Sequence, residues 1–225
     1  MLIEIPGILD KEDLRKVRDG LAKCRFVDGK ATAGVQARGV KHNLEATPSR
    51  EMMEIARIVY AGLVGNETFN QFALPRKLLP PIFSRYEIGM EYGSHSDVGM
   101  MHIDQPEAAT RTDLSLTVFL SDPDDYDGGE LVIDTNVGRN EFKLAAGDVV
   151  VYPCHYLHWV APITRGERYA AVSWVQSYVR AADHREILYE LDQVASFVPE
   201  GRRNDPNATT LFNLYHKLMR MWADT

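Results

Sequence analysis

A chain of 225 residues that is 45% apolar and 25% charged has the composition of a globular protein with a full hydrophobic core, built as one domain with elaborations. Its formal charge of −7, with acids and bases interspersed, excludes the basic face that nucleic-acid binding requires. The opening MLIEIPGILDKED has early charges and no apolar centre, so no secretory signal is expected. No apolar run approaches the ~20 residues of a membrane span. Two isolated cysteines, Cys24 and Cys154, cannot make a disulfide framework or a thiolate zinc site, and the pattern fits a reducing cytoplasm.

In chain order, Asp10 is placed to cap a helix bearing Leu14, Val17 and Leu21 at helical spacing. A loop from Val27 to Ala46, rich in Gly and Ala, carries Lys41, His42 and Asn43. A second helix is expected from about Ser49 to Leu63, with Met52, Ile55, Ile58, Val59 and Leu63 buried. From about Pro80 the pattern changes to β-branched and aromatic runs separated by Gly, Pro and Asp clusters. These predict strands over Ile82–Glu87, Asp113–Leu120, Glu130–Asp134, Glu141–Leu144, Asp148–Tyr152, Trp159–Pro162 and Arg168–Tyr178. No helical segment interrupts them, which argues against a parallel sheet and for a double-sheet jelly roll. Asp183 then caps a helix with Ile187, Leu188, Leu191, Val194 and Phe197, and a last helix carries Leu211, Leu214, Tyr215, Leu218 and Trp222. These stripes read as packing surface, and the terminal helix pair also offers a homodimer face. The expected fold is an all-β core with added helices. An N-terminal helical and extended elaboration covers 1–79, the jelly-roll core 80–179 and a C-terminal helical pair 180–225.

The chemistry concentrates at Tyr92-Gly93-Ser94-His95-Ser96-Asp97. On a strand, positions i and i+2 share a face, so one imidazole and one carboxylate can reach a single ion. His158, at the start of a late strand, supplies a third ligand. Two His and one carboxylate leave three coordination positions open, the ligand set of non-haem Fe(II) oxygenases. A second pair, His102-Ile103-Asp104, lies in a loop and is the weaker candidate. Arg168 heads the strand after the turn Thr164–Glu167, ten residues beyond His158 in the sequence. Its planar fork suits the far carboxylate of a dicarboxylate that chelates the metal through its 2-oxo acid end. A strand with Tyr86 and Tyr92 precedes the His-x-Asp pair.

Rival residues have plainer readings. His155 sits in the turn Pro153-Cys154-His155, and Arg165 fits a turn residue that satisfies loop carbonyls. His42, His184 and His216 read as surface or hydrogen-bonded residues, Cys154 as packing, and Asp122–Asp127 as a solvated turn. Gly128 and Gly129 are expected to supply positive φ. Arg111, Lys41 and Asn43 have two open roles, substrate contact or structural hydrogen bonding.

The segments His95-Ser96-Asp97, Arg111-Thr112-Asp113-Leu114-Ser115, Phe119-Leu120-Ser121-Asp122-Pro123, Tyr126-Asp127-Gly128-Gly129-Glu130-Leu131, Ala146-Gly147-Asp148, Leu157-His158 and Thr164-Arg165-Gly166-x-Arg168 resemble the PKHD-type hydroxylases, PiuC-like Fe(II)/2-oxoglutarate-dependent dioxygenases. The likeness runs over nearly the whole chain, and the core is more distantly similar to prolyl 4-hydroxylases. The resemblance implies a double-stranded β-helix, Fe(II), 2-oxoglutarate and O2 as co-substrates, and dependence on L-ascorbate. It assigns His95, Asp97 and His158 to iron, Arg168 to the C5 carboxylate of 2-oxoglutarate, and Tyr86 to a co-substrate hydrogen bond. Where the wider family often has a second tyrosine, this chain has Phe119. The segment from Asp97 to Arg111 matches poorly and is expected at the mouth of the site.

The expected reaction couples decarboxylation of 2-oxoglutarate to succinate and CO2 with hydroxylation of a small-molecule or peptidyl substrate. Alternatives are a cupin-like metalloenzyme without 2-oxoglutarate, which would not need Arg168, and a non-catalytic jelly-roll binding module.

Overall fold

The structure, a computed structural model, describes residues 1–32, 37–103, 105, 107–202 and 205–224. Along the first 79 residues run β1 (Ile3–Ile5), α1 (Lys11–Leu21), β2 (Phe26–Asp28), β3 (Lys41–His42), β4 (Leu44–Ala46), α2 (Arg50–Gly65), α3 (Glu67–Ala73) and β5 (Pro75–Leu78). The next are β6 (Ile82–Tyr86), β7 (Glu91–His95), β8 (Met100–Met101), β9 (Thr110–Arg111), β10 (Leu114–Phe119), β11 (Tyr126–Gly128), β12 (Leu131–Thr135) and β13 (Gly138–Phe142). The chain continues through β14 (Val149–Pro153), β15 (Leu157–Val160), β16 (Ile163–Gly166), β17 (Arg168–Ser177), α4 (Ala182–Ser196) and α5 (Pro206–Trp222).

Two antiparallel sheets face each other. The larger runs β1-β14-β10-β17-β6-β4-β2, with β5 also paired to β17. The smaller runs β13-β12-β15-β7-β3, and β11–β16 and β8–β9 form short ribbons. The larger sheet is buried on both faces, so its strands read as nearly continuous apolar runs rather than as a clean alternation. The period of two still sorts the side chains. Leu114, Leu116 and Val118 of β10 and Val149 and Val151 of β14 pack outward against helical residues such as Val17, Leu21, Ile55, Val59 and Phe69. Phe119, Val150 and Tyr152 point inward and join Tyr86, Leu131, Ile133 and Val160 between the sheets. One face of the larger sheet therefore serves stability, and the other lines the interior.

The helix ends follow from local chemistry, with one correction. Asp10 accepts from the Asp13 amide at 2.8 Å, Ser49 from Met52 at 3.1 Å and Asn66 from Phe69 at 2.9 Å, each satisfying an orphan N–H of a first turn. Asp183 does not cap α4. The cap position is Ala181, with no side-chain bond, and Asp183 lies inside the first turn, where it meets the His184 amide. The stripe expected on α4 is only partly buried: Leu188 is enclosed, whereas Ile187, Val194 and Phe197 are exposed. The helix α3 and the short strands β1–β5, β11 and β16 were not expected, and β16 (Ile163–Gly166) stands where the turn Thr164–Glu167 was expected. The short β strands carry too few residues to show a period.

Strand ends moved where turn geometry outweighed propensity. The predicted strand at Glu141–Leu144 is instead Gly138–Phe142, because Gly138 with φ +125° tightens the β12–β13 turn. The expected continuous strand from Tyr86 to Tyr92 is broken at Gly89, whose φ is +82°. Two short strands stand where a loop was expected, Met100–Met101 pairing with Thr110–Arg111. Gly128 has the sharpest constraint: its φ is +73°, and a Cβ there would lie 2.0 Å from the Pro162 carbonyl oxygen. Gly128→Ala is therefore expected to cost about 2 kcal/mol or more, from left-handed strain plus a backbone clash. Urea unfolding would read this as a lowered midpoint, and an unchanged midpoint would contradict it.

Candidate active site

The sheets enclose a cavity of about 1070 Å³ lined by residues of both, including His95, Asp97, His158, Arg168 and Tyr86. His95 ends β7, and His158 lies directly opposite it on β15. Asp97 has left the strand, and its amide reaches the Cys154 carbonyl at 3.3 Å. The shared-face argument for an i, i+2 pair on one strand thus does not describe the local backbone, although the side chains do converge. One ligand atom from each of His95, Asp97 and His158 falls within 4.8 Å of the other two, the only such group among the described residues.

The donor set is prepared for a cation. Each imidazole has its Nδ1 at a backbone carbonyl two residues earlier, His95 at Gly93 (2.8 Å) and His158 at Tyr156 (3.1 Å). An Nδ1 proton donated to those carbonyls leaves each Nε2 lone pair free. Burial, then the neighbouring His158, pushes the His95 pKa below the usual imidazole range, which keeps it neutral. The Asp97 side chain is 9% exposed, with Oδ2 buried, 3.9 Å from His158 Nε2 and without a hydrogen-bond partner among the described residues. A buried carboxylate oxygen without a donor is costly unless a cation takes it up. These three side chains fit a divalent metal with open positions. Tyr92 stacks on His95, with ring centroids 3.8 Å apart, and Lys41 Nζ lies 5.3 Å from the Tyr92 ring centroid.

Deeper between the sheets, Arg168 is 2% exposed, and its Nε and Nη2 have no partner among the described residues. Its guanidinium lies 5.4 Å from the Tyr86 ring and 5.3 Å from the Phe119 ring. These faces favour a cation but accept no full set of hydrogen bonds. Burial pushes the Tyr86 phenol up to about 12, so it keeps its proton and can donate.

The other candidates separate cleanly. Arg165 is exposed and pairs with Asp127 at 2.7 and 3.0 Å. Arg111 bonds Asp113 at 2.7 Å and the Ser177 carbonyl at 3.1 Å, away from the cavity. His155 and His42 are exposed, and His184 stacks on Trp222. Cys154 is buried, and burial keeps its thiol protonated. His102 lines the cavity with φ +54°, while Asp104 lies outside the described residues. Asn43 is buried in the cavity wall beside an unforeseen ion pair of Lys41 with Glu45, to which Thr32 donates at 2.6 Å. Lys41, Asn43 and Glu45 share a buried polar face at period two, but β3 and β4 have only two and three residues, too few for that alternation to be read from the sequence.

A jelly roll that presents two imidazoles and a carboxylate beside a buried, unpaired arginine defines a 2-oxo-acid-dependent non-haem iron oxygenase. Residues 81–176 match the 2OG-Fe(II) oxygenase superfamily, and residues 183–224 match the PKHD-type hydroxylase C-terminal domain. A PKHD-type hydroxylase of Pseudomonas putida is 43% identical over 229 residues, covering 100% of both chains. Among solved structures, a Pseudomonas putida prolyl-4-hydroxylase superposes with TM-score 0.52 at 18% identity, covering 78% of this chain and 92% of the other. A viral collagen prolyl hydroxylase from Paramecium bursaria Chlorella virus-1, in a 2OG complex, gives TM-score 0.53 at 15% identity, covering 78% and 95%. The chain belongs to the PKHD-type hydroxylases. It is an oxidoreductase of the Fe(II)- and 2-oxoglutarate-dependent class, with O2 as the second co-substrate.

Proposed function

We propose that His95, Asp97 and His158 hold the Fe(II), that Arg168 receives the C5 carboxylate of 2-oxoglutarate, and that Tyr86 donates a hydrogen bond to the same molecule. The observation that carries this reading is the Arg168 guanidinium, buried to 2% exposure with two nitrogens unpartnered, in the cavity of the His-Asp-His group. A buried cation of that kind calls for an anion with two oxygens. When bound, iron and the oxo acid supply the oxidising chemistry, reducing O2, releasing succinate and CO2, and hydroxylating a substrate carbon.

This chain's own residues orient and enclose. The backbone carbonyls of Gly93 and Tyr156 fix the tautomers and aim of the two imidazoles. Tyr152 meets the His158 ring edge-on at 5.1 Å and closes the space behind it. The apolar residues around Arg168 exclude water and so strengthen its grip on a carboxylate.

The cavity, at about 1070 Å³, has room for the co-substrate and part of a second molecule. A small-molecule or peptidyl substrate belongs to this reading, and the prolyl hydroxylase names of the structural neighbours support the peptidyl form. L-Ascorbate completes it as the reductant that restores iron after uncoupled turnover. The division into 1–79, 80–179 and 180–225 is supported by the ranges matched in the core and the C-terminal region. Exposed Ile187, Val194 and Phe197 support a homodimer through the C-terminal helices, and unpaired Cys24 and Cys154 support a cytoplasmic setting. No helix among the described residues is long and apolar enough to cross a membrane.

The test is anaerobic titration of Fe(II)-loaded protein with 2-oxoglutarate. A weak visible charge-transfer band is expected on chelation. Iron that stays bound while no band develops would overturn the reading.

A further inference from the structure

We infer that Tyr92 and Lys41 are positioning residues for the metal centre: the Lys41 ammonium seats the Tyr92 ring, and the ring holds His95 in its ligating orientation. This rests on the ligand role proposed above for His95. Tyr92 and His95 lie three apart on β7, positions that face opposite sides of a regular strand. Here β7 carries an extra residue against β15, with His95 paired to His158 and Tyr92 to Val160, so the two side chains come to share a face. Their rings are nearly parallel, 17° apart, with centroids 3.8 Å from each other.

The bulge interrupts the ladder beside His95, and support comes from the opposite neighbour, Val40 and β3. The Gly93 amide donates to the Val40 carbonyl at 2.9 Å, and the Gly93 carbonyl meets His95 Nδ1 at 2.8 Å. A Cβ at position 93 would lie 2.8 Å from Val40 Cβ, so glycine permits this close approach. The next residue, Lys41, stands directly opposite Tyr92, and its Nζ lies 5.3 Å from the ring centroid. A lysine steadies a ring only if its own head group is fixed. Lys41 Nζ bonds the Glu45 carboxylate and, at 2.9 Å, the Thr32 hydroxyl, and both members of the ion pair are buried. Glu45 lies on β4, which pairs with β6 in the larger sheet, so the pair ties one sheet to the other. Such a pair adds little net stability over apolar side chains of the same volume. What the charge adds is a cation over an electron-rich ring, an attraction that strengthens out of water.

Metal-free wild type and variants are titrated with Co(II), whose visible bands report both affinity and ligand geometry. Lys41→Met/Glu45→Gln removes the ammonium without stranding a carboxylate, Tyr92→Leu removes the ring, and Tyr92→Phe keeps it. The Co(II) dissociation constant is expected to rise about tenfold or more in the first two, with shifted bands, and to stay at the wild-type value in Tyr92→Phe. Because Lys41 acts through the ring, adding Lys41→Met/Glu45→Gln to Tyr92→Leu should weaken binding little further. Unchanged affinity in either of the first two variants overturns the inference, and so do fully additive losses in the combined one. Weaker binding with unshifted bands and earlier metal-free unfolding also overturns it, because that marks a structural staple. Should Lys41→Met/Glu45→Gln fail to fold, equal binding by Tyr92→Leu and Tyr92→Phe overturns it. If wild type takes up no Co(II), or His95→Ala takes it up as wild type does, the ligand assignment falls and this inference with it, a result seen without any change at Lys41 or Tyr92.

Discussion

Asp97→Ala is expected to abolish Fe(II) binding at neutral pH while leaving the metal-free protein folded. The carboxylate is the one anionic member of the ligand group, and its Oδ2 is buried without a donor. Removing it leaves two imidazoles and no anionic ligand, a set too weak to hold Fe(II) against water. The loss should exceed the ~10–100-fold that removing an outer-shell partner costs. The effect on stability runs the other way. In metal-free protein an unpaired buried carboxylate is a liability, so its deletion should leave the unfolding temperature unchanged or raise it. Wild type, in contrast, gains stability from ligand binding, about 2.7 kcal/mol when free metal is at a hundred times its dissociation constant. Thermal unfolding of both proteins with and without Fe(II) under anaerobic conditions separates these cases. A metal-dependent rise in the variant would move the ligand assignment towards His102. A variant that melts early without metal would instead give Asp97 a structural role.

Much of the site is legible in the sequence because most of its members sit on or at the ends of strands that turn residues mark off. His158 and Arg168 open strands in a region of clear strand punctuation, and the ten-residue spacing between them fits one turn and one ribbon strand. What it did not carry lies in short or irregular backbone. Asp97 is legible from its spacing to His95, but the backbone that carries it is not: it has left the strand, and its amide meets the Cys154 carbonyl, a contact across the fold that no local pattern encodes. The N-terminal strands β3 and β4 have two and three residues, yet they join opposite sheets and bring Lys41, Asn43 and Glu45 into the cavity wall. Buried polar residues on such a segment look like a solvated loop from sequence alone, because their partners are in the cavity. The second His-x-Asp pair shows the same limit from the other side: identical spacing at His102 gave a left-handed residue in a ribbon connection. Spacing licenses a ligand pair only when a strand opposite supplies the third.

The same division of faces shapes the outcome at Arg168. Because β17 sits at the centre of the larger sheet, paired to β10 and β6 over most of its length, Arg168 cannot swing out to solvent. Its charge is fixed in an apolar surround whether or not a partner is present. Arg168→Met, which keeps the length of the stem, should therefore be tolerated by the fold and leave Fe(II) affinity close to wild type. Binding of 2-oxoglutarate should weaken by about 2–5 kcal/mol, some thirtyfold to several thousandfold, since one partner of a buried hydrogen-bonded charge pair is gone and the other stays charged. Arg168→Lys should fall between, because a point charge cannot reproduce a planar fork. The charge-transfer band measured against 2-oxoglutarate concentration reads all three proteins, and iron content measured on the same samples is the control. Loss of iron with unaltered co-substrate affinity would remove Arg168 from the binding site and return it to the core.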